Sequence, residues 1–165
     1  MTYRGLVAVD HGEFVFLDPG ELSDGVVRLR LVDTRPADPR KAWVPCYVFH
    51  IVAADSGVPV GEIQFRVGDT ERLRLYAGHV DYGVRPEHRG HRFAARAVRL
   101  LIPLALRHGM PELWITCNPE NIASRRTCEA AGADFVEVVD LPPEIDMYQK
   151  GERQKCRYRL KLSEL

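Results

Sequence analysis

Residues 79–117 constrain the chain more than any other stretch. "HVDYGVR" (79–85) reads as a strand, "ELWITC" (112–117) reads as a buried strand, and an apolar helix pattern lies between them. A strand, a helix and a second strand in direct succession pack as layers, with the helix against the sheet. The helix, expected over 91–108, collects Phe93, Ala94, Ala97, Val98, Leu101, Leu104 and Ala105 on one broad arc. Arg92, Arg96, Arg99 and Arg107 fall on the opposite side. Pro103 lies on that arginine side, where a kink opens toward solvent, and Gly109 is a natural end.

The entrance to this helix is electrostatically odd. In "RPEHRGHRFAAR" (85–96), Arg89, Arg92 and Arg96 stand where each cation costs about 0.3–1 kcal/mol against the helix dipole. From Arg85 to Arg107 there are six arginines and one acid, Glu87, in a chain whose 23 basic and 23 acidic residues balance overall. An anion docked among the free N–H groups of the helix start makes the arrangement favourable. The loop is therefore expected to bind an anion. The pattern G-x-x-x-x-G-K-[ST] is absent, as is G-x-G-x-x-G, which argues against a P-loop NTPase and a dinucleotide-dependent dehydrogenase.

Around this unit the alternation predicts strands over 26–34, 46–54, 59–68, 133–140 and 155–162, the second and third joined as a hairpin through "DSGV". "LVAV" and "FVFL", within 6–17, suggest a small hairpin or an arm. Residues 35–45 are expected to be an irregular loop with at most a short helical turn, 69–78 a connector, and 140–153 a long, mostly acidic loop. A second helix is expected to begin with Asn118 as its cap and Pro119 in its first position, and to end at Gly132. The fold class expected is α/β of an α+β-like kind: a mixed, mostly antiparallel central sheet of about six to seven strands with helices on both faces.

With 165 residues, no repeat and no break in composition, one domain over 1–165 is expected. The four cysteines, Cys46, Cys117, Cys128 and Cys156, show neither close pairing nor metal-type spacing, so reduced thiols in a cytoplasm and no metal are expected. The opening "MTYRGLVAVDHGEF" carries acid and lacks a continuous apolar core, so no export signal is expected. No run approaches the roughly 20 apolar residues that span a bilayer, and zero net charge without aromatic interleaving argues against nucleic acid as a partner.

Two blocks carry a family resemblance. "VDYGVRPEHRGHRFAARAVRLLIPLA" followed by "LWITCNPENIASRRTCEAAGADFVEV" resembles the GNAT superfamily of acyl-CoA-dependent N-acetyltransferases, closely over about 79–138. The family's Q/R-x-x-G-x-G/A loop corresponds to Arg89 through Ala94, with Arg92 where the first glycine usually stands. The family's N-x-x-[AS]-x-x-x-[YC]-x-x-x-G-F element corresponds to "NIASRRTCEAAGA", with Cys128 where many relatives carry tyrosine and Ala133 in place of phenylalanine. The resemblance implies a GNAT-like fold and acetyl-CoA as co-substrate, with the pyrophosphate facing the N–H groups of Gly90, His91, Arg92, Phe93 and Ala94. It implies a carbonyl-polarising N–H near Val84 and a cofactor contact from Asn121. The reaction implied is transfer of an acyl group to a small-molecule or protein amine; a non-catalytic acyl-CoA-binding module on the same fold is the alternative.

Amines are mostly protonated at pH 7, so the reaction needs a proton acceptor. Glu62 and Asp81 are the carboxylates on predicted strands, and His79 lies on the same strand face as Asp81. Tyr148, in the loop 140–153, is a candidate acid or pocket residue. Exposed sheet edges, which pair readily, leave a homodimer open as an assembly.

Overall fold

The computed structural model describes residues 14–162; "LVAV" lies outside them. Its suggested partner, 14–17, has no regular structure, but Leu17 is buried and Phe14 and Phe16 pack on the core, so this segment is an arm.

Eight strands form: β1 (Leu22–Ser23), β2 (Val27–Arg35), β3 (Cys46–Ala53), β4 (Pro59–Arg66), β5 (Val80–Val84), β6 (Glu112–Cys117), β7 (Asp134–Asp140) and β8 (Gln154–Lys161). They hydrogen-bond as a five-stranded sheet, β1-β2-β3-β4-β5, and a three-stranded sheet, β6-β8-β7, with every ladder antiparallel. The expected class holds. The extra strand, β1, is too short to show a period in the sequence, and the sheet is divided between β5 and β6.

His79 explains where the division begins. Its N–H donates to the Trp114 carbonyl at 2.7 Å, a normal rung between the two strands. The Trp114 N–H, however, donates to His79 Nδ1 at 2.8 Å, so an imidazole stands where another main-chain acceptor would continue the ladder. Nε2 then carries the proton and meets the Gly68 carbonyl at 2.9 Å. Burial holds this histidine neutral by pushing its pKa down. Beside it Gly78 has φ +74°, and a Cβ there would meet the Trp114 carbonyl oxygen at 3.1 Å. Only glycine fits this junction without strain.

The helices are α1 (Phe93–Leu100), α2 (Ile102–Arg107), α3 (Ile122–Ala130) and α4 (Asp146–Gln149). The single helix expected over 91–108 is thus two, parted at Leu101, with Pro103 in the first turn of α2. Proline offers no N–H and its ring crowds the carbonyl four residues back, so a break replaces the kink. His91 and Arg92 precede the helix. Asn118 does not cap α3; Asn121 does, accepting from Ser124 N at 3.1 Å. The Asn118 side chain is engaged elsewhere, by the Lys155 ammonium at 2.9 Å. The connector 69–78 contains a π-helical turn, Leu73–Ala77, closed by Gly78 N to the Leu73 carbonyl at 2.7 Å.

Thr116 donates to the Tyr76 carbonyl in that turn at 2.7 Å, whereas the Cys117 thiol hydrogen-bonds Cys128 of α3. Neighbouring strand residues point to opposite faces, so β6 is covered on both. One core runs through both sheets, joining Tyr47, Phe49 and Phe65 to Val98, Leu101 and Leu104 of the helices and to Leu113, Ile115 and Tyr158. Each such side chain contributes roughly 1.5–3 kcal/mol on burial, which fixes the helices against the divided sheet.

Candidate active site

The loop between β5 and α1 turns tightly. Pro86–His88 form a 3-10 turn, Gly90 sits at φ +90°, and Arg92 is left-handed at φ +60°, ψ +26°. Arg92 therefore holds the backbone conformation that glycine adopts freely, at a cost of order 1–3 kcal/mol. No side chain caps α1, and the first intrahelical bond runs from Arg96 N to the Arg92 carbonyl at 3.1 Å. The N–H groups of Phe93, Ala94 and Ala95 consequently have no acceptor within the helix. Gly90, His91 and Arg92 have no main-chain acceptor among the described residues either.

This uncapped start borders a cleft of about 1010 Å³ between β5 and β6, reaching to α3. Arg89, Gly90, Arg92, Phe93 and Ala94 line it together with Val84 and Asn121. Of the eight residues assigned a cofactor contact, seven meet in one cavity. His91 is the one outside its lining; its ring stacks on Phe93 at 5.3 Å and is exposed. Arg89 Nε donates to the Val84 carbonyl at 3.0 Å, anchoring the loop to the end of β5. Of the arginines further along, Arg96 pairs with Asp24 at 2.9 Å, Arg99 donates to the Ala131 carbonyl at the end of α3 at 2.8 Å, and Arg107 donates to the Asp18 carbonyl at 2.9 Å. They tie the helices to their surroundings, while Arg89 and Arg92 remain at the cleft.

The edge of β5 follows from its register. Arg66 N to the His79 carbonyl (2.7 Å) and Arg85 N to the Val60 carbonyl (2.8 Å) bracket the β4–β5 ladder, in which Gly61 faces Val84 and Ile63 faces Tyr82. In an antiparallel pair alternate residues bond their partner. Residues 79, 81, 83 and 85 therefore bond β4, and the N–H groups of Tyr82 and Val84 are directed away from it, into the split.

Where α3 begins, a hydroxyl and thiol group closes the cleft. Tyr82 reaches over from β5, its hydroxyl 3.0 Å from Ser124 Oγ and 3.5 Å from Cys128 Sγ. Burial pushes the phenol pKa up, so Tyr82 stays protonated. Cys128 is fully buried and does not line the cleft, whereas Cys117 and Ser124 do. A hydrogen bond from the Cys128 thiol lowers the Cys117 pKa to about 7 against the opposing effect of burial. The same bond, with burial, pushes Cys128 up. Nothing local in the sequence marks Cys117, Ser124 or Tyr82 as cleft residues.

A second cleft, of about 510 Å³, opens on the other side of the split. It shares Val80, Asp81, Thr116 and Lys155 with the first, so the two meet at these residues. Asp81 is exposed there, its carboxylate 3.6 Å from the Arg66 guanidinium. Lys155, which no sequence signal marked, bridges Asn118 and Glu152 from β8. The other two candidates for proton transfer stand apart. Glu62 is exposed, accepts from Gln64 Nε2 at 3.2 Å and lines neither cleft. Tyr148 lines neither, its ring lying 3.7 Å beneath Arg153.

Comparison with known proteins agrees with this geometry. The chain superposes on an acetyltransferase of the GNAT family from Bacillus anthracis with a TM-score of 0.56 at 16% identity, covering 70% of this chain and 66% of that one. It superposes on a ribosomal-protein-S5-alanine acetyltransferase from Vibrio fischeri with a TM-score of 0.59 at 12% identity, covering 86% and 96%. For a microcin C7 self-immunity acetyltransferase in complex with acetyl-CoA and AMP the TM-score is 0.55 at 16% identity, covering 70% and 61%. The chain thus spans less than two thirds of the first and third of these proteins. No curated protein matches the sequence. These structural likenesses establish the fold. In sequence, residues 18–134 match the acetyltransferase (GNAT) domain, and the chain belongs to the GNAT acetyltransferase family.

Proposed function

We propose that the protein transfers an acetyl group from acetyl-CoA to a primary amine by direct attack in a ternary complex. The observation that carries this reading is the meeting of two clefts at Asp81, one bordered by a cationic, uncapped helix start and the other open to an acceptor. The first cleft suits a diphosphate: free N–H groups of Phe93, Ala94 and Ala95 add to the guanidinium groups of Arg89 and Arg92. Asn121 borders it too, its side-chain carbonyl committed to the cap and its NH2 group free to donate. When bound, acetyl-CoA supplies an acyl group already activated as a thioester.

The chain's own residues have three tasks. The N–H of Val84 polarises the acyl carbonyl from the unpaired edge of β5, an oxyanion-type contribution. Asp81 takes the proton from the incoming ammonium, since it is the carboxylate among the candidates that lies where the clefts join. The walls hold amine and acyl group in one orientation, which is worth more than any covalent assistance with so reactive a donor. The free state of Cys46, Cys117, Cys128 and Cys156 supports a reducing, cytoplasmic setting.

The test combines calorimetry with acetyl-CoA and thiol release with a panel of amines. Binding with turnover is expected, and Asp81→Asn is expected to lower kcat/KM by about 10²–10⁴-fold with acetyl-CoA affinity unchanged. Binding without turnover on any amine makes the protein an acyl-CoA-binding module. No binding at all removes both readings.

A further inference from the structure

The second cleft carries more positive than negative side chains. Five cationic side chains line it, Arg35, Arg66, Arg72, Lys150 and Lys155, against three carboxylates, Asp81, Asp146 and Glu152. Each carboxylate already faces a cation within the cleft: Asp81 faces Arg66 at 3.6 Å, Asp146 faces Arg72 at 3.0 Å, and Glu152 faces Lys155 at 2.5 Å. Five less three leaves two positive charges over, and they belong to Arg35 and Lys150. Arg35 has a partner only outside the lining, Asp33, at 3.5 Å, with both side chains about half exposed. Lys150 forms no ion pair among the described residues.

The backbone places the first of these securely. Arg35 pairs with Cys46, and Cys46 pairs with Arg66, so the three form one row across β2, β3 and β4. All three line the cleft, which puts Arg35 about 10 Å along the row from Arg66, given the strand spacing. Lys150 stands at the C-terminal end of α4, where its charge adds to that of Arg72 in holding Asp146 ionised. Trp43, half exposed, lines the same cleft, with the Lys41 ammonium 4.4 Å above its ring.

A cleft with surplus positive charge repels an amine that is only a cation. It admits an amine that brings an anion with it, because the anion makes charge-assisted bonds to Arg35 and Lys150 while the amine reaches Asp81. From this geometry we infer that the acceptor carries a carboxylate or phosphate beside its primary amine and that Arg35 and Lys150 select it. This rests on the acyl-transfer reading above, and the acidic residues of the loop 140–153 do not offset the surplus. Asp140 and Glu144 of that loop do not line the cleft; Asp146 and Glu152 do, but Arg72 and Lys155 neutralise them.

The experiment measures kcat/KM with acetyl-CoA for matched acceptors: γ-aminobutyrate against butylamine, O-phosphoethanolamine against ethanolamine, and putrescine as a dication. At least one anionic member is expected to exceed its neutral partner by tenfold or more, putrescine being poorest, and the two pairs separate carboxylate from phosphate. In the Arg35→Glu, Lys150→Glu double variant the preference is expected to vanish or invert, with acetyl-CoA affinity within about twofold. Equal or better turnover of the neutral amines, or a preference untouched by the double variant, overturns the inference while leaving acyl transfer standing. If no amine turns over, acyl transfer fails by itself. Calorimetry with γ-aminobutyrate and O-phosphoethanolamine then decides the cleft: binding that the double variant abolishes upholds the inference, and no binding overturns it.

Discussion

The two ends of the α1–α2 unit both contradict the helix dipole, in opposite ways. At the N-terminal end, where positive charge is disfavoured, Arg89 and Arg92 border a cleft and no side chain caps the helix. At the C-terminal end, where a protonated histidine would be favoured, His108 is fully buried and held neutral, its pKa lowered by burial to about 4. Phe14 stacks on its ring at 5.1 Å, and Tyr47 Oη lies 2.6 Å from Nε2. Leu17 N–H already donates to the tyrosine oxygen, so Tyr47 donates to the imidazole. The dipole is therefore overruled at one end by burial, which leaves His108 Nδ1 with no hydrogen-bond partner among the described residues, and at the other by something that the chain leaves open.

The largest effect should appear at the open end. Arg89→Glu combined with Arg92→Glu replaces two guanidinium groups with like-charged repulsion toward a diphosphate. Acetyl-CoA affinity is expected to fall about 10³-fold, roughly 4 kcal/mol. Acids suit a helix start, but the double variant loses the Arg89 bond to the Val84 carbonyl, so the melting temperature should change little. A double variant that binds acetyl-CoA as well as the parent would make the arginine loop an ordinary solvated turn.

The closed end is probed by acid. The folded pKa of His108, about 4, lies below its unfolded value near 6.5, so between these values the unfolded chain takes a proton that the folded chain refuses. Its contribution is complete above about pH 6.5, declines as pH falls toward 4, and levels off below that. The whole difference is on the order of 3 kcal/mol, with His79, also lowered by burial, acting in the same direction. Urea titrations from pH 7 to 4 should show this slope, and His108→Leu should flatten it. An unchanged slope in the variant would assign the acid sensitivity elsewhere.

How far these contrasts could be read from the sequence depends on how local their causes are. The strands and the apolar arc of α1 and α2 were legible because period and face are local properties, and the arginine excess stood out against a neutral chain. The division of the sheet was not, since it depends on His79 meeting Trp114 across a distance of 35 residues. The cap of α3 was misplaced for a similar reason. Asn118 and Asn121 both suit the position by local rule, and only Lys155, from β8, claims the first. The second cleft was the least legible part, because its charges come from segments as far apart as Arg35 and Lys155 and cancel only in three dimensions. The loop 140–153 looked acidic in one dimension for the same reason.

The third helix start, that of α3, sharpens the comparison further. It borders the same cleft as α1, yet Asn121 satisfies one of its N–H groups from within the chain. Asn121→Ala should therefore destabilise the fold by about 1 kcal/mol, measured as a lower urea midpoint at unchanged m. If acetyl-CoA affinity falls as well, by severalfold, the amide NH2 of Asn121 contacts the cofactor in addition to the cap. A loss of stability alone leaves it a capping residue only.

The smallest effect, and the one of opposite sign, concerns Arg92 itself. Its backbone at φ +60° is a conformation in which Gly suffers no Cβ clash, whereas any flexible residue gains freedom in the unfolded chain when replaced by Gly. Relief of left-handed strain, on the order of 1 kcal/mol or more, competes with roughly 0.5–1 kcal/mol of added unfolded-state entropy. Removing a cation from the helix start adds a few tenths in favour of the variant. Arg92→Gly is thus expected to raise stability slightly, by about 0.5 kcal/mol. Its acetyl-CoA affinity then apportions the anion site: a loss under threefold means that the N–H groups of Phe93, Ala94 and Ala95 do most of the holding, while a loss above tenfold gives that part to the guanidinium. A clear drop in stability would show that Arg92 is not strained at all, and that its side chain is tied down in the free protein.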